Sequence, residues 1–227
     1  MGIDYTKRPG QGQPAATPPP ATTAPAAGPV SLTKGSPTVS LSKSTGASGM
    51  LRVNLNWDAR PPGQSSGGFF RGVQPAIDLD LGCLYELTDG TKGCVQALGN
   101  SFRDKAPGNP IIRLDGDDRS GTNTAGENLF IDLNRLAEIK RVAVFALIYE
   151  GVPNWAAANG VVTLFPVGAP TITVRLDEPG STRMCAIAML ENHGGQLVIH
   201  RMVHHFAGHK PMDEHYGWGM QWQAGRK

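Results

Sequence analysis

Two acidic clusters carry the chemistry that this sequence could support. In Ile77-Asp78-Leu79-Asp80-Leu81 the acids alternate with aliphatic residues. Side chains alternate across a strand, so a strand here sets Asp78 and Asp80 on one face and Ile77, Leu79 and Leu81 on the other. The apolar face calls for a core. The two carboxylates repel each other, and a hard cation satisfies both. The second cluster, Leu114-Asp115-Gly116-Asp117-Asp118-Arg119-Ser120-Gly121, reads as a loop. Its glycines permit tight turns, and Asp and Ser favour local turn hydrogen bonds. With Asn123, Thr124, Glu127 and Asn128 it offers oxygen donors and neither His nor Cys. Such a set suits calcium rather than zinc or copper. The spacing is not that of an EF-hand. Counted from Asp115, the fifth position is Arg119, the sixth is Ser120 in place of Gly, and the twelfth is Gly126 in place of Glu. A calcium site here has to be built by two loops that meet in space.

Other chemistries fit less well. Asp78 and Asp80 with Asp117 and Asp118 could hold a catalytic metal pair, so the rival reading is a metal-dependent hydrolase of phosphorylated small molecules. No neighbouring His or Lys supports it. Ser120 lacks a G-x-S-x-G context, and the Gly-rich stretch 65–72 lacks the Lys-Ser/Thr of a phosphate loop. The histidines gather late in the chain, at positions 193, 200, 204, 205, 209 and 215. His200 and His204 share a strand face, but about 13 Å apart, too far to hold one metal. They read as edge and surface residues. The sequence presents no nucleophile with partners, and the expectation is a protein that is not an enzyme.

The elements that must position the acids are strands. Gly 29 and Pro 18 in 227 residues favour turns over long helices. A net charge of +2 does not suggest a nucleic-acid partner. Residues 1–29 are a Pro/Ala/Thr-rich tail with little to bury, expected to be disordered. The folded domain is expected over 30–227. Val30-Ser31-Leu32-Thr33-Lys34 recurs as Val39-Ser40-Leu41-Ser42-Lys43, and Gly35-Ser36-Pro37 between the copies predicts a β-hairpin. Alternation predicts strands over 51–57, 76–87 and 92–99, the last two joined by a two-residue Asp89-Gly90 turn. Phe69 and Phe70 lie in a long loop at 60–72, where they are expected to cover the core. A Pro-rich loop at 103–110 leads to Ile111-Ile112-Arg113-Leu114 and the acidic cluster, a further strand is expected at 129–133, and then a short helical turn at 134–140. The nearly continuous apolar run 141–149 predicts a central strand covered on both faces. Four more strands follow, at 161–167, 171–176, 184–191 and 196–206. About ten short strands with Gly/Pro turns define an all-β fold, a two-sheet β-sandwich with one or two short helical turns.

Three cysteines, Cys83, Cys94 and Cys185, are too few and odd in number for a secreted disulfide scaffold. The two-residue turn puts Cys94 opposite Tyr85, one diagonal step from Cys83, and all three read as reduced thiols. No apolar run reaches the length of a membrane span and no signal-peptide pattern is present, so the expected location is cytoplasmic.

The ordered set Asn56-Trp57-Asp58, Asp78-Leu79-Asp80 and Gly116-Asp117-Asp118-Arg119-Ser120-Gly121 resembles the TerD domain of bacterial tellurium-resistance and general stress proteins. Phe145-Ala146-Leu147-Ile148-Tyr149-Glu150-Gly151 and Tyr216-Gly217-Trp218-Gly219 resemble its TerA branch. The likeness spans roughly residues 30 to 227. It implies a calcium-binding β-sandwich acting in a stress response through protein contacts. The implied partners are other Ter-type stress proteins, in a complex that could sit peripherally at a membrane. Spacing and resemblance together select the calcium ligands Asp58, Asp78, Asp80, Asp115, Asp117, Asp118, Glu127 and Asn128. Family loops carry more acids where this chain has Thr122-Asn123-Thr124-Ala125-Gly126, so a second ion is in doubt.

Overall fold

The computed structural model describes residues 28–58, 76–115, 126–151 and 155–223. The Pro-rich tail (apart from Gly28 and Pro29), the Phe69-Phe70 loop, and Asp117 and Asp118 lie outside the described residues.

Twelve strands among the described residues form two six-stranded sheets. They are β1 (Val30–Leu32), β2 (Thr38–Leu41), β3 (Met50–Asn56), β4 (Asp78–Leu87), β5 (Lys92–Val95) and β6 (Ile112–Leu114). After them come β7 (Glu127–Asp132), β8 (Ile139–Glu150), β9 (Val161–Phe165), β10 (Ile172–Arg175), β11 (Met184–His193) and β12 (Gln196–Phe206). The first sheet runs β1-β10-β9-β3-β7-β6 and the second β2-β12-β11-β8-β4-β5. The expected all-β, two-sheet arrangement is what the chain adopts. A 3-10 turn at Leu133–Glu138 stands where the short helical turn is predicted. Two short helices complete the fold, α1 (Trp155–Ala158) and α2 (His209–Tyr216). No helix among the described residues is long and apolar enough to cross a membrane.

The main core lies between the sheets. Leu51, Val53 and Leu55 of β3 are fully buried there, with Leu79, Leu81 and Cys83 of β4. The second sheet buries its other face as well. Leu84, Phe145, Met184 and Met202 form a separate cluster under Met212 of α2 and Trp218 of the segment after it. Cover on both faces is why β8, which carries Phe145, reads as a continuous apolar run.

Three local expectations are corrected. The repeated Val-Ser-Leu strands do not pair with each other. The first copy, β1, runs parallel to β10, while the second, β2, pairs antiparallel with β12. The turn between them is real, with Thr33 and Ser36 exchanging backbone hydrogen bonds of 3.1 and 3.2 Å, but it carries the chain from one sheet to the other. Each copy closes one sheet edge. The β4–β5 hairpin has a three-residue turn, since Leu87 N–H donates to Thr91 O at 2.8 Å and Gly90 takes the left-handed conformation at φ 88°. The register therefore shifts by one residue, and Cys94 faces Leu84 rather than Tyr85. Cys83 packs in the inter-sheet core and Cys94 against the outer cluster, so the two thiols lie on opposite faces. Helix α2 is the element that strand-dominated patterning missed.

Candidate metal centre

The acid-bearing segments meet at one end of the sandwich. Strand β3 is antiparallel to β7, with Leu55 opposite Glu127, so the exit of β3 and the entry of β7 lie side by side. Trp57 Nε1 donates to Ile77 O at 2.9 Å and ties the exit of β3 to the entry of β4. Gly126 has φ 68°, and a Cβ there would stand 2.1 Å from Leu55 O, so only glycine permits this approach immediately before Glu127.

Glu127 is a second link between the two sheets. Its Oε2 accepts the Leu81 N–H at 2.6 Å. That nitrogen belongs to the peptide joining Asp80 to Leu81. Strand β5 pairs with β4 only as far as Cys83, which leaves the Leu81 N–H beyond the ladder for a side chain to satisfy. Asp80 and Glu127 are each 3% exposed. Asp78, at the strand entry, is half-buried and pairs in register with Glu150. Simple alternation places both aspartates on the solvent side of β4. The structure buries Asp80 instead, because both faces of this sheet are covered.

The remaining candidates separate. Asn128 Oδ1 accepts from Arg52 Nη1 at 3.2 Å and from Asn54 Nδ2 at 3.0 Å, across neighbouring strands. Its side chain is committed to the sheet. Asp58 Oδ2 accepts from Asn159 Nδ2 at 3.1 Å, and Asp58 N–H donates to Ala158 O at 2.8 Å, so this residue anchors the end of α1. Asp115 is exposed and lies 3.8 Å from the Arg113 guanidinium. Its backbone N–H donates to Asn128 O at 2.9 Å, which holds Asp115 beside β7. Among the described residues no group of three or more His, Cys, Asp or Glu is arranged to hold a metal. Asn54 is the polar residue that sequence reasoning passed over. It is 9% exposed and bonds both Glu127 O and Asn128 Oδ1.

The histidines take structural places. His204 Nδ1 lies 2.9 Å from the Tyr216 hydroxyl, with the rings parallel. His209 Nε2 lies 2.6 Å from Gln96 Oε1, its ring edge-on to Phe145 and stacked on Trp222. Burial pulls the His209 imidazole down to about 4.

A two-sheet β-sandwich with buried carboxylates drawn from both sheets at one end is thus the class of protein. No family model matches the chain. Solved structures share the fold, the following two among them. One is the crystal structure of a protein of unknown function (TM-score 0.56, 19% identity, covering 77% of this chain and 99% of that one). The other is a homologue of the telluride resistance protein TerD from Streptomyces coelicolor (TM-score 0.53, 20% identity, 73% of this chain and 94% of that one). In sequence, the chain is 44% identical over 202 residues to a tellurium resistance protein TerA from an Alcaligenes species, a match that covers 87% of this chain. The chain spans 58% of that relative's length. It belongs to the TerD-domain tellurium-resistance family, on the TerA-like branch.

Proposed function

We propose that this chain is a calcium-binding, non-enzymatic stress-response module that acts through contacts with other tellurium-resistance proteins. The observation that carries the calcium part is the Glu127 carboxylate seated on the Asp80–Leu81 peptide, with both acids buried. Buried carboxylates need hydrogen bonds or a cation nearby, and these bring hard oxygen donors without imidazole or thiolate. The donor chemistry fits calcium. Asp78, Asp80 and Glu127 do not by themselves form a three-carboxylate site, and in this reading they would hold the ion only together with Asp117 and Asp118. Asn128 and Asp58 fit less well, since Arg52 and Asn54 hold the first and Asn159 the second. The ion would tie β4 and β7 to the acidic segment and stiffen this end as a docking face. The name of the Alcaligenes relative supports the link to tellurium resistance.

Calorimetric titration of calcium into chelator-treated protein, with thermal unfolding alongside, tests the reading. Heat of binding and a raised Tm are expected for the unaltered chain, and both should fall sharply in Asp80→Asn and in the double variant Asp117→Asn, Asp118→Asn. An unaltered chain that shows neither heat nor shift rejects the calcium site. Variants that respond like the parent reject these ligands.

A further inference from the structure

The outer faces of the two sheets differ. Helix α2 and the segment after it cover the second sheet, while among the described residues no apolar cluster packs on the outer face of the first. A single row of side chains crosses that open face. Arg103 bridges to Arg113 of β6, Arg113 pairs with Phe130 of β7, Phe130 with Arg52 of β3, and Arg52 with Phe165 of β9. Directly paired residues project on the same side of a sheet, so the five make one stripe, Arg-Arg-Phe-Arg-Phe, about 19 Å long at the usual strand spacing. The net charge of +2 averages over the whole chain and hides this local arrangement.

Stability alone does not account for the stripe. Arg103 and Arg113 oppose each other directly, and like charges so placed destabilise a sheet. Arg103 is exposed and makes no ion pair among the described residues. Asp115 stands 3.8 Å from Arg113, but both side chains are well exposed, where such a pair contributes little. Arg52 meets no carboxylate among the described residues. Its partners are Asn128 Oδ1 at 3.2 Å and the Phe165 ring, whose centroid lies 3.9 Å from the guanidinium carbon. The Arg113 guanidinium carbon lies 4.3 Å from the Phe130 centroid in the same way. Asp132 shares this face two residues beyond Phe130, and its carboxylate accepts from Asn134 N–H at 3.0 Å. Phe130 and Phe165 are half-buried and belong to neither apolar cluster.

We propose that this face binds single-stranded nucleic acid, with unstacked bases laid on the Arg–Phe pairs and phosphates taken by the arginines. Bases stack on aromatic rings and on guanidinium groups alike, and Arg also bonds phosphate oxygens in a bidentate fork. Phe130 and Phe165 stand two strands apart, about 10 Å, so each can carry a base of its own. No convergence of the cations on one group is needed, since each arginine of a stripe meets a different part of an extended strand. Thr163 and Thr173, paired side by side in the next row, add hydroxyl groups for sugars or base edges. An acidic protein segment would answer the charges but leave the interleaved rings without a role. The proposal does not rest on the calcium reading.

Fluorescence anisotropy of labelled oligothymidylate and oligouridylate of about twelve nucleotides, titrated with the full chain in EDTA at about 50 mM salt, tests it. EDTA keeps divalent ions from bridging phosphates to the acids. Binding of either oligomer supports the proposal, and the tighter one identifies the preferred sugar. The affinity should fall with salt on a log–log slope of about −2, as three arginine–phosphate contacts require. A duplex of the same length should bind about tenfold or more weakly, since its bases are not free to stack. Phe130→Leu with Phe165→Leu keeps apolar bulk and should weaken binding about tenfold or more at an unchanged salt slope. Arg103→Gln removes an exposed, like-charge neighbour, so it should fold as the parent does while the slope becomes shallower by about 0.7. No anisotropy change at about 100 µM protein, well inside the range of non-specific binding, overturns the proposal. So does a duplex bound as tightly as the single strand, or a folded variant that binds like the parent. Displacement by poly-L-glutamate as effectively as by unlabelled oligothymidylate also overturns it, and would mark the face as a site for acidic proteins.

Discussion

Glu127 Oε2 accepts the Leu81 N–H at 2.6 Å, a contact between strands of different sheets. The bond separates two roles of one carboxylate. As an acceptor it satisfies a buried amide, and as an anion it contributes to a cation site. Glu127→Gln keeps an acceptor and should fold with near-parental stability while losing the calcium-induced rise in Tm. Glu127→Leu leaves the amide unsatisfied and should lose about 1–3 kcal/mol in urea unfolding without calcium. Equal loss in both variants would show that the charge, not the acceptor, matters for the fold.

Asp213 organises the cover over the outer cluster. Its carboxylate accepts from Gly219 N at 2.7 Å, Met220 N at 3.0 Å and Trp222 Nε1 at 3.1 Å, and the residue is 3% exposed. Trp218, held between these anchors, donates Nε1–H to Tyr85 O at 3.1 Å and lies under the Arg141 guanidinium. Asp213→Ala should cost about 2–4 kcal/mol, since several donors lose one acceptor together. Tryptophan emission should shift to the red as Trp218 meets water. Parental emission in the folded variant would mean that the cover is held by apolar packing alone.

His209 makes stability depend on pH. Burial lowers its folded value from 6.5 to about 4. Above about pH 6.5 the imidazole is neutral in both states and its packing counts in full. As pH falls from there towards about 4, the unfolded chain takes up a proton that the folded chain refuses, so stability declines. The decline from this group amounts to up to about 3 kcal/mol. His205 is lowered too, by burial that outweighs the pull of Glu178, and acts in the same direction. Urea unfolding at pH 7.5 and 4.5 should show a smaller difference in His209→Gln than in the parent. An identical difference would place the acid sensitivity elsewhere.

The thiols should be inert in the native state. Burial raises all three, Cys185 to about 12, Cys83 still further and Cys94 well above its ordinary range. Maleimide labelling at pH 8 should reach them only after denaturant is added. Mild oxidation should not join Cys83 to Cys94, which point to opposite faces of their hairpin. Fast labelling of the native chain at Cys94 would indicate that the outer cover opens.

Much of this architecture was legible without coordinates. Leu51, Val53 and Leu55 alternate, and β3 buries them; the unbroken run around Phe145 is the doubly covered strand it promised to be. Periodicity and apolar runs are local properties, and local geometry translates them directly. Pairing is not local. The two Val-Ser-Leu copies look alike and adjoin in sequence, yet each closes a different sheet, because partner choice depends on strands more than a hundred residues away. Helix α2 is eight residues long and takes its stability from Met212 packing on the sheet, which its own text does not announce. The acids divide in the same way. Their types and spacing already specified hard oxygen donors. Tertiary structure alone decided that Glu127 crosses to the Asp80 peptide, while Asn128 is taken by Arg52 and Asn54 and Asp58 by Asn159, since hydrogen-bond partners are chosen by proximity in space.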